Sequence, residues 1–184
     1  MEQAALLNLI LDCGAASAAP IDVSALVLSA QFRTICEQNS CGSFGRCWAC
    51  PPHIGPVEAW MERIRACSRG VLYQSVAPLE DSFDFEDMMD AAHSHAKLGR
   101  RIEKALRAAD LSREAYWHFG AGGCHICRKC TAPQGKPCRH PDKILPPLEG
   151  CGVDVYKAAK AAGLNYINGP NTVTYFGLVL ERKG

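Results

Sequence analysis

Eight of the eleven cysteines lie in two short segments, and their spacing is the clearest sign of chemistry in the sequence. The first segment has the pattern C-x4-C-x5-C-x2-C and is followed by two prolines, and the second has the pattern C-x2-C-x2-C-x7-C. Four thiolates are what one tetrahedral zinc ion requires, and also what one cubane iron–sulfur cluster requires. The predicted ligands are Cys36, Cys41, Cys47 and Cys50 in the first quartet, and Cys124, Cys127, Cys130 and Cys138 in the second.

The second quartet favours iron–sulfur chemistry over zinc. Structural zinc sites usually combine two C-x2-C pairs that are distant in sequence, whereas Cys124, Cys127 and Cys130 follow one another in a tight loop, as in ferredoxins. The irons of a four-iron cube lie at separate corners, so three thiolates of one short loop can each bind a different iron. We therefore predict two 4Fe–4S clusters, with two Zn²⁺ ions as the alternative. Exchange of Cys50 and Cys138 between the clusters stays open, because ferredoxins with two clusters share ligands in this way.

Length and charge set limits on the class of protein. The 184 residues fit a single domain, 1–184, with cysteine loops at 36–52 and 122–141. A net charge of +1 predicts no nucleic-acid partner, and no apolar run has the roughly 20 residues that a membrane span needs. The first apolar run lacks the preceding Lys or Arg of a signal peptide. We expect a cytoplasmic protein, in which clustered thiols stay reduced and available to metal.

Helices and strands are predicted on both sides of the cysteine loops. Hydrophobic periodicity predicts helices at 2–13, 30–38, 57–68, 84–109 and 153–164, and strands at 70–77, 115–123 and 172–182. Pro20 is expected to end the first helical segment. This order predicts an α/β protein of the mixed α+β kind, with a small mixed sheet flanked by helices and the two metal loops at one end.

Three cysteines lie outside the quartets. Cys151 comes just before the helix at 153–164, where a thiol can be reactive, but burial as a small core residue is the favoured interpretation. Cys13 and Cys67 fall on apolar faces of the predicted helices and are expected in the core.

Histidines and basic residues also accompany the loops. His53, His125 and His140 are expected to lie beside a cluster, as hydrogen-bond donors or exposed groups, since the cysteines already supply enough ligands. His93 and His95 are two residues apart on a helix, so they do not share a face and are not predicted to bind metal together. The basic residues Lys129, Arg139 and Lys143 are expected to offset cluster charge, to dock an acidic redox partner, or simply to be solvated.

The motifs resemble a family of predicted metal-binding proteins called domain of unknown function 2284. The stretches that carry the resemblance are CGSFGRCWACPP, GGCHICRKCTAPQGKPCRHPDK, LEGCGVDVYKAAKAAGL and NGPNTVTYFGLVL, between about residues 31 and 181. The resemblance implies that the eight cysteines of the two quartets bind metal, and it implies no reaction. The sequence departs from the family pattern at 146–149, where PPLE stands in place of PSxE.

Three functions are compatible with these observations. The first is an iron–sulfur redox protein, either an electron carrier or the redox subunit of a partner enzyme, with a protein partner that is not identified. The second is a zinc-stabilised interaction module. The third is an enzyme that uses a cluster on an unknown substrate, although the sequence lacks the phosphate-binding, dinucleotide-binding, serine-hydrolase and zinc-protease motifs. No enzyme class or oligomeric state is assigned.

Overall fold

The computed structural model describes residues 2–81, 83–109, 111 and 113–183. In these ranges the elements are α1 (Gln3–Asp12), β1 (Ser17–Asp22), α2 (Gln31–Glu37), α3 (Val57–Arg65), β2 (Cys67–Pro78), α4 (Phe85–Ala108), β3 (Tyr116–Phe119), α5 (Val155–Ala161) and β4 (Thr172–Arg182). The strands form one sheet in the order β1-β2-β4-β3, and each neighbouring pair is antiparallel. The α+β class is confirmed, while the four-stranded sheet is antiparallel instead of mixed.

Each face of the sheet has its own hydrophobic core, because successive side chains of a strand point to opposite faces. On one face, side chains of β2, β3 and β4 pack against α3 and α5; the core there includes Leu72, Phe119, Leu178, Ile64 and Ala158. On the other face the sheet packs against α1 and α4; the core there includes Val71, Val179, Ile10, Leu98 and Ile102. The sheet therefore lies between two helical layers.

Helix α4 supplies most of the second layer, and its ends follow the usual signals. The Asp84 carboxylate accepts a hydrogen bond from the Asp87 N–H at 2.9 Å, which caps the N-terminus. Glu86 and Asp87 lie in the first turn and Arg107 in the last, as the helix dipole favours. The face turned to the sheet is not purely apolar, because it also carries the buried His95 and Glu103.

The first strand is the element that the sequence did not predict. Pro20, expected to end a helical segment, lies inside β1 and pairs with Val71 of β2. Proline is tolerated there because β1 is at the edge of the sheet, where one side of the strand needs no ladder hydrogen bond. Cys67 likewise begins β2 instead of continuing helix α3, which ends at Arg65.

Two long loops leave this framework. The first runs from 38 to 56, between α2 and α3, and the second from 120 to 154, between β3 and α5. The second loop is tied at its base by two hydrogen bonds, from the Gly120 N–H to the Pro146 carbonyl at 3.0 Å and from the Leu148 N–H to the Gly120 carbonyl at 3.1 Å. None of the helices in the described ranges combines the length and apolar character needed to cross a bilayer.

Candidate metal centre

The first cysteine loop is anchored to the framework by Arg33 of α2. Its guanidinium donates to the Gly150 carbonyl through Nε at 3.1 Å and Nη2 at 2.7 Å, and to the Gly55 carbonyl through Nη1 at 2.9 Å. The loop is then closed on itself by a hydrogen bond from the Gly45 N–H to the Pro51 carbonyl at 2.8 Å. These contacts fix the segment that carries Cys47 and Cys50.

The two cysteine loops contact each other directly. The Trp48 Nε1–H of the first loop donates to the Thr131 hydroxyl at 3.1 Å and to the Lys136 carbonyl at 3.2 Å, both in the second loop. The Cys124 N–H of the second loop donates to the Cys47 sulfur at 3.4 Å. Segments that are about 80 residues apart in sequence therefore form one structural unit.

Cys47 lies at the junction, where hydrogen bonds from its neighbours favour the thiolate form. The hydrogen bond from the Cys50 thiol lowers the pKa of Cys47 to about 6, with help from backbone N–H groups that include that of Cys124 and against the opposing effect of burial. The same hydrogen bond, together with burial, raises the pKa of Cys50. Both side chains are buried, whereas Cys41 is exposed.

The remaining thiols are distributed around this junction. Negative charge on the other three sulfurs of the first quartet also raises the pKa of Cys50; these are Cys47, Cys41 and Cys36. The four side chains are therefore close enough to influence one another electrostatically. Burial raises the pKa of Cys124 against the opposing effect of a hydrogen bond from the Ile126 N–H, and negative charge on sulfurs of both loops adds to the rise; these sulfurs belong to Cys47, Cys130 and Cys138. Cys127 lines an open cleft together with Cys47, Cys124 and Cys130. The structure thus brings the two quartets together, with Cys47 between them.

The chemistry of this junction fits a thiolate-bound metal group. Zinc and iron–sulfur clusters both take cysteine sulfur, and Cys47, Cys50, Cys124 and Cys130 pack together at this junction. The loops approach closely at Gly123, where a Cβ would lie 2.7 Å from the Ser43 hydroxyl and 3.9 Å from the Cys47 sulfur. Within the described ranges, no three Cys, His, Asp or Glu side chains converge on a single ion position. Assignment of the eight cysteines as ligands therefore remains a prediction.

The cysteines outside the quartets are not part of the junction. Cys151 is fully buried among core side chains, and burial raises its pKa, which opposes the reactive interpretation. Cys67 is in the same core, as expected. Cys13 is half-buried at the C-terminal cap of α1 and packs against the opposite core.

Histidines near the loops make individual contacts. The His53 ring packs on Trp48 at 4.8 Å between centroids, and one of its nitrogens is 3.2 Å from the Gly45 carbonyl. The rings of His125 and His93 meet at 4.3 Å. His95 is buried, whereas the His93 side chain is 44% exposed, so the two histidines lie on different faces of α4, as predicted.

A buried polar chain next to the second loop was not anticipated from the sequence. The Glu103 carboxylate is 2.9 Å from His118 Nδ1, and His118 Nε2 is 2.8 Å from the Tyr73 hydroxyl. Nearby, His95 Nδ1 is 2.8 Å from the Ser75 hydroxyl. The available signal was strand alternation, which places Tyr73 of β2 and His118 of β3 on the same inward face. Nothing in the sequence connected them to Glu103 of α4.

Comparison with known proteins supports a metal-binding role. A family model described as predicted metal-binding protein (DUF2284) matches residues 19–180, which includes both cysteine quartets, all of β2 and β3, and most of β1 and β4. No curated protein and no solved structure matches the chain. Since the match covers most of the sequence, and the two loops meet at a junction of thiols, the chain belongs to the DUF2284 family of predicted metal-binding proteins.

Proposed function

We propose that this metal-binding protein is an iron–sulfur protein that carries two 4Fe–4S clusters and transfers electrons to a partner protein. The first cluster is held by Cys36, Cys41, Cys47 and Cys50, and the second by Cys124, Cys127, Cys130 and Cys138. When bound, such clusters supply one-electron transfer at potentials set by their surroundings. The observation that carries the proposal is the junction of the two loops at Cys47, together with the ferredoxin-like spacing of the second quartet.

The residues at the junction suit cluster binding in two ways. Backbone N–H groups donate to sulfur, as the Cys124 N–H does to Cys47 and the His140 N–H does to Cys138 at 3.4 Å. Such hydrogen bonds stabilise thiolates and adjust cluster potentials. Trp48 packs over the first loop and binds the second, so it limits access of water to the region between them.

The second loop also offers a surface for an acidic partner. Between 124 and 143 its exposed charged side chains are basic except for Asp142; the basic ones are Arg128, Lys129, Lys136, Arg139 and Lys143. Positive charge around thiolate-bound iron offsets the negative charge of the cluster, and it attracts a protein with a complementary acidic patch. The proposed partner is therefore an acidic redox protein or the acidic surface of an enzyme.

Metal and sulfide analysis of protein purified without oxygen tests the proposal. Two four-iron clusters correspond to about eight iron and eight sulfide per chain, and the solution is expected to be brown and to bleach on reduction. Cys130→Ser is expected to remove or weaken one cluster and spare the other. Cys13→Ser, which changes a cysteine outside both loops, is the matched control and should keep the full iron content.

Zinc would give the opposite result. A colourless protein with about two zinc ions and no sulfide per chain would exclude the redox function and favour the zinc-stabilised module. Full iron content in the Cys130→Ser variant would remove that residue from the proposed ligand set.

A further inference from the structure

A small cavity lies between α4, β2 and the second cysteine loop. Its volume is about 30 Å³, and it is lined on the sheet side by Tyr73 and on the helix side by His95 and Gly99. Glycine at 99 leaves room there, since a Cβ would lie 2.8 Å from Leu145 and 3.6 Å from the Tyr73 hydroxyl. A water needs about 10–15 Å³ in this measure, so the cavity has room for about two or three water molecules, which is the size of a small ion.

The charged groups around this cavity are all basic. Arg100 of α4 and Lys143 of the second loop both line it, as does His125, and no carboxylate of the described residues does so. Neither Arg100 nor Lys143 forms an ion pair with a described carboxylate. Two unpaired cations at a cavity with no acidic side chain favour an anion over a neutral or positive ligand.

His95, which lines the cavity, has a hydrogen-bonding group that the described residues do not use. The residue is only 2% exposed, and its Nε2 has no hydrogen-bond partner among the described residues. Such a buried orphan is costly unless something fills the position. When Ser75 donates to Nδ1, the neutral ring carries its proton on Nε2, which then donates to a ligand that accepts hydrogen bonds.

Tyr73 supplies the second donor when its O–H turns from His118 to the cavity. Its hydroxyl lies between the cavity and His118, and His118 in turn contacts the Glu103 carboxylate. With a neutral His118 the Tyr73 O–H donates to Nε2. With a protonated His118, Nε2–H donates to the Tyr73 oxygen, and the Tyr73 O–H is free to turn to an anion. Arg113, 3.1 Å from Glu103, and Arg107, 3.7 Å from it, are the other charged groups that face this chain.

We propose that this cavity is a binding site for a small oxyanion, either a short carboxylate or an inorganic oxyanion, held by Tyr73, His95 and Arg100. The bound anion lies beside Cys124, which also lines the cavity. The site goes beyond the proposed electron-transfer function and does not depend on it, because its donors are not predicted metal ligands.

Calorimetric titration of the full chain with formate and nitrate tests the site, with chloride keeping ionic strength constant. Formate represents the carboxylates and nitrate the inorganic oxyanions, and at least one is expected to bind saturably, whereas benzoate is too large. Arg100→Gln and Tyr73→Phe should each weaken binding about tenfold or more, since each removes a hydrogen bond to a charged group. In histidine labelled with ¹⁵N, the Nε2 resonance of His95 should shift along the same binding curve.

Two matched variants complete the test. Lys104→Gln removes an exposed cation of α4 that lies outside the cavity. Tyr116→Phe removes a hydroxyl that contacts Glu103 but does not line the cavity. Both should bind like the unmodified chain. The proposal is overturned if neither anion binds, if the His95 resonance stays fixed, or if Arg100→Gln and Lys104→Gln behave alike. Iron, zinc and sulfide contents are measured on the same samples, so failure here is distinguished from failure of the iron–sulfur assignment.

Discussion

Glu103 places a carboxylate inside a mainly apolar core, and its neighbours decide whether it is ionised. Burial opposes ionisation, but the hydrogen bond and charge of His118, with those of Arg113, outweigh it and lower the pKa of Glu103. The side chain is 8% exposed, so this charge is shielded little by solvent. A buried carboxylate of this kind contributes to stability only while its partners remain in place.

Replacing Glu103 by Gln should destabilise the protein by about 3 kcal/mol at neutral pH, because His118 and Arg113 lose their charged partner. Urea denaturation of the two proteins measures the difference. Since the folded-state pKa lies below the ordinary value near 4.3, the carboxylate stabilises the fold fully above that value. The difference between the two proteins should therefore shrink as pH falls below about 4.

Glu62→Gln provides the comparison, since Glu62 is an exposed carboxylate of α3. It should change stability by less than about 0.5 kcal/mol at any pH. The lowered pKa of Glu103 would be contradicted if the difference in unfolding free energy between Glu103→Gln and the unmodified chain stayed constant down to pH 3.

At the level of elements, the contact between β2 and β4 fixes the position of Tyr73. Gly177 of β4 is the register partner of Tyr73, and the tyrosine ring lies directly over the glycine. A Cβ at Gly177 would overlap the ring and its hydroxyl. The absence of a side chain at this one strand position is therefore what allows Tyr73 to reach His118.

Gly177→Ala should destabilise the protein by about 1–3 kcal/mol through overpacking, and it should also displace the Tyr73 hydroxyl from His118. Thermal unfolding measures the first effect, and the ¹⁵N resonances of the His118 ring report the second. Gly120→Ala is the control, because its Cβ would meet Leu145 at an ordinary 3.5 Å. If the two substitutions lowered the unfolding temperature equally and shifted the His118 resonances equally, the contact between Gly177 and Tyr73 would not be the cause.

The elements that the sequence predicted are those with a strong internal pattern. Helix α4 and strand β4 have clear periodicity, and both formed as expected. Strand β1 has the sequence SAAPID, which lacks β-branched residues except Ile21 and includes a proline, so its strand conformation depends on pairing with β2. The contact of Trp48 with Thr131 was equally hidden, because it joins loops whose approach is set by the whole fold.

At the scale of the whole molecule, the two cores and the cysteine junction are separate clusters. The cores on the two faces of the sheet contain none of the eight predicted ligands. Cys47 and Cys50 belong instead to a small cluster with Ala49, against which Cys124 and Ile144 pack. Most of the apolar surface that stabilises the fold is therefore buried independently of the metal.

Removal of the metal should loosen both loops while the sheet and α4 persist, because metal binding contributes folding free energy mainly where the ligands are. Circular dichroism of the chelated protein should keep most of its secondary-structure signal. Limited trypsin digestion should become faster at Arg46 and Arg128, in the two loops, and remain slow at Arg63 of α3. Complete loss of the dichroism signal would show that the metal supports the whole fold.

The contact between Cys47 and Cys124 also has a consequence for how the two proposed metal centres assemble. Because the Cys124 N–H and the Trp48 indole tie the loops together, ordering one loop restricts the conformations of the other before its own ligands bind. Part of the conformational entropy cost of ordering the second site is therefore met when the first site fills, so that less remains when the second site binds its metal. Filling either centre should therefore speed the filling of the other during reconstitution, and a variant that lacks one centre should still fill the other, but more slowly.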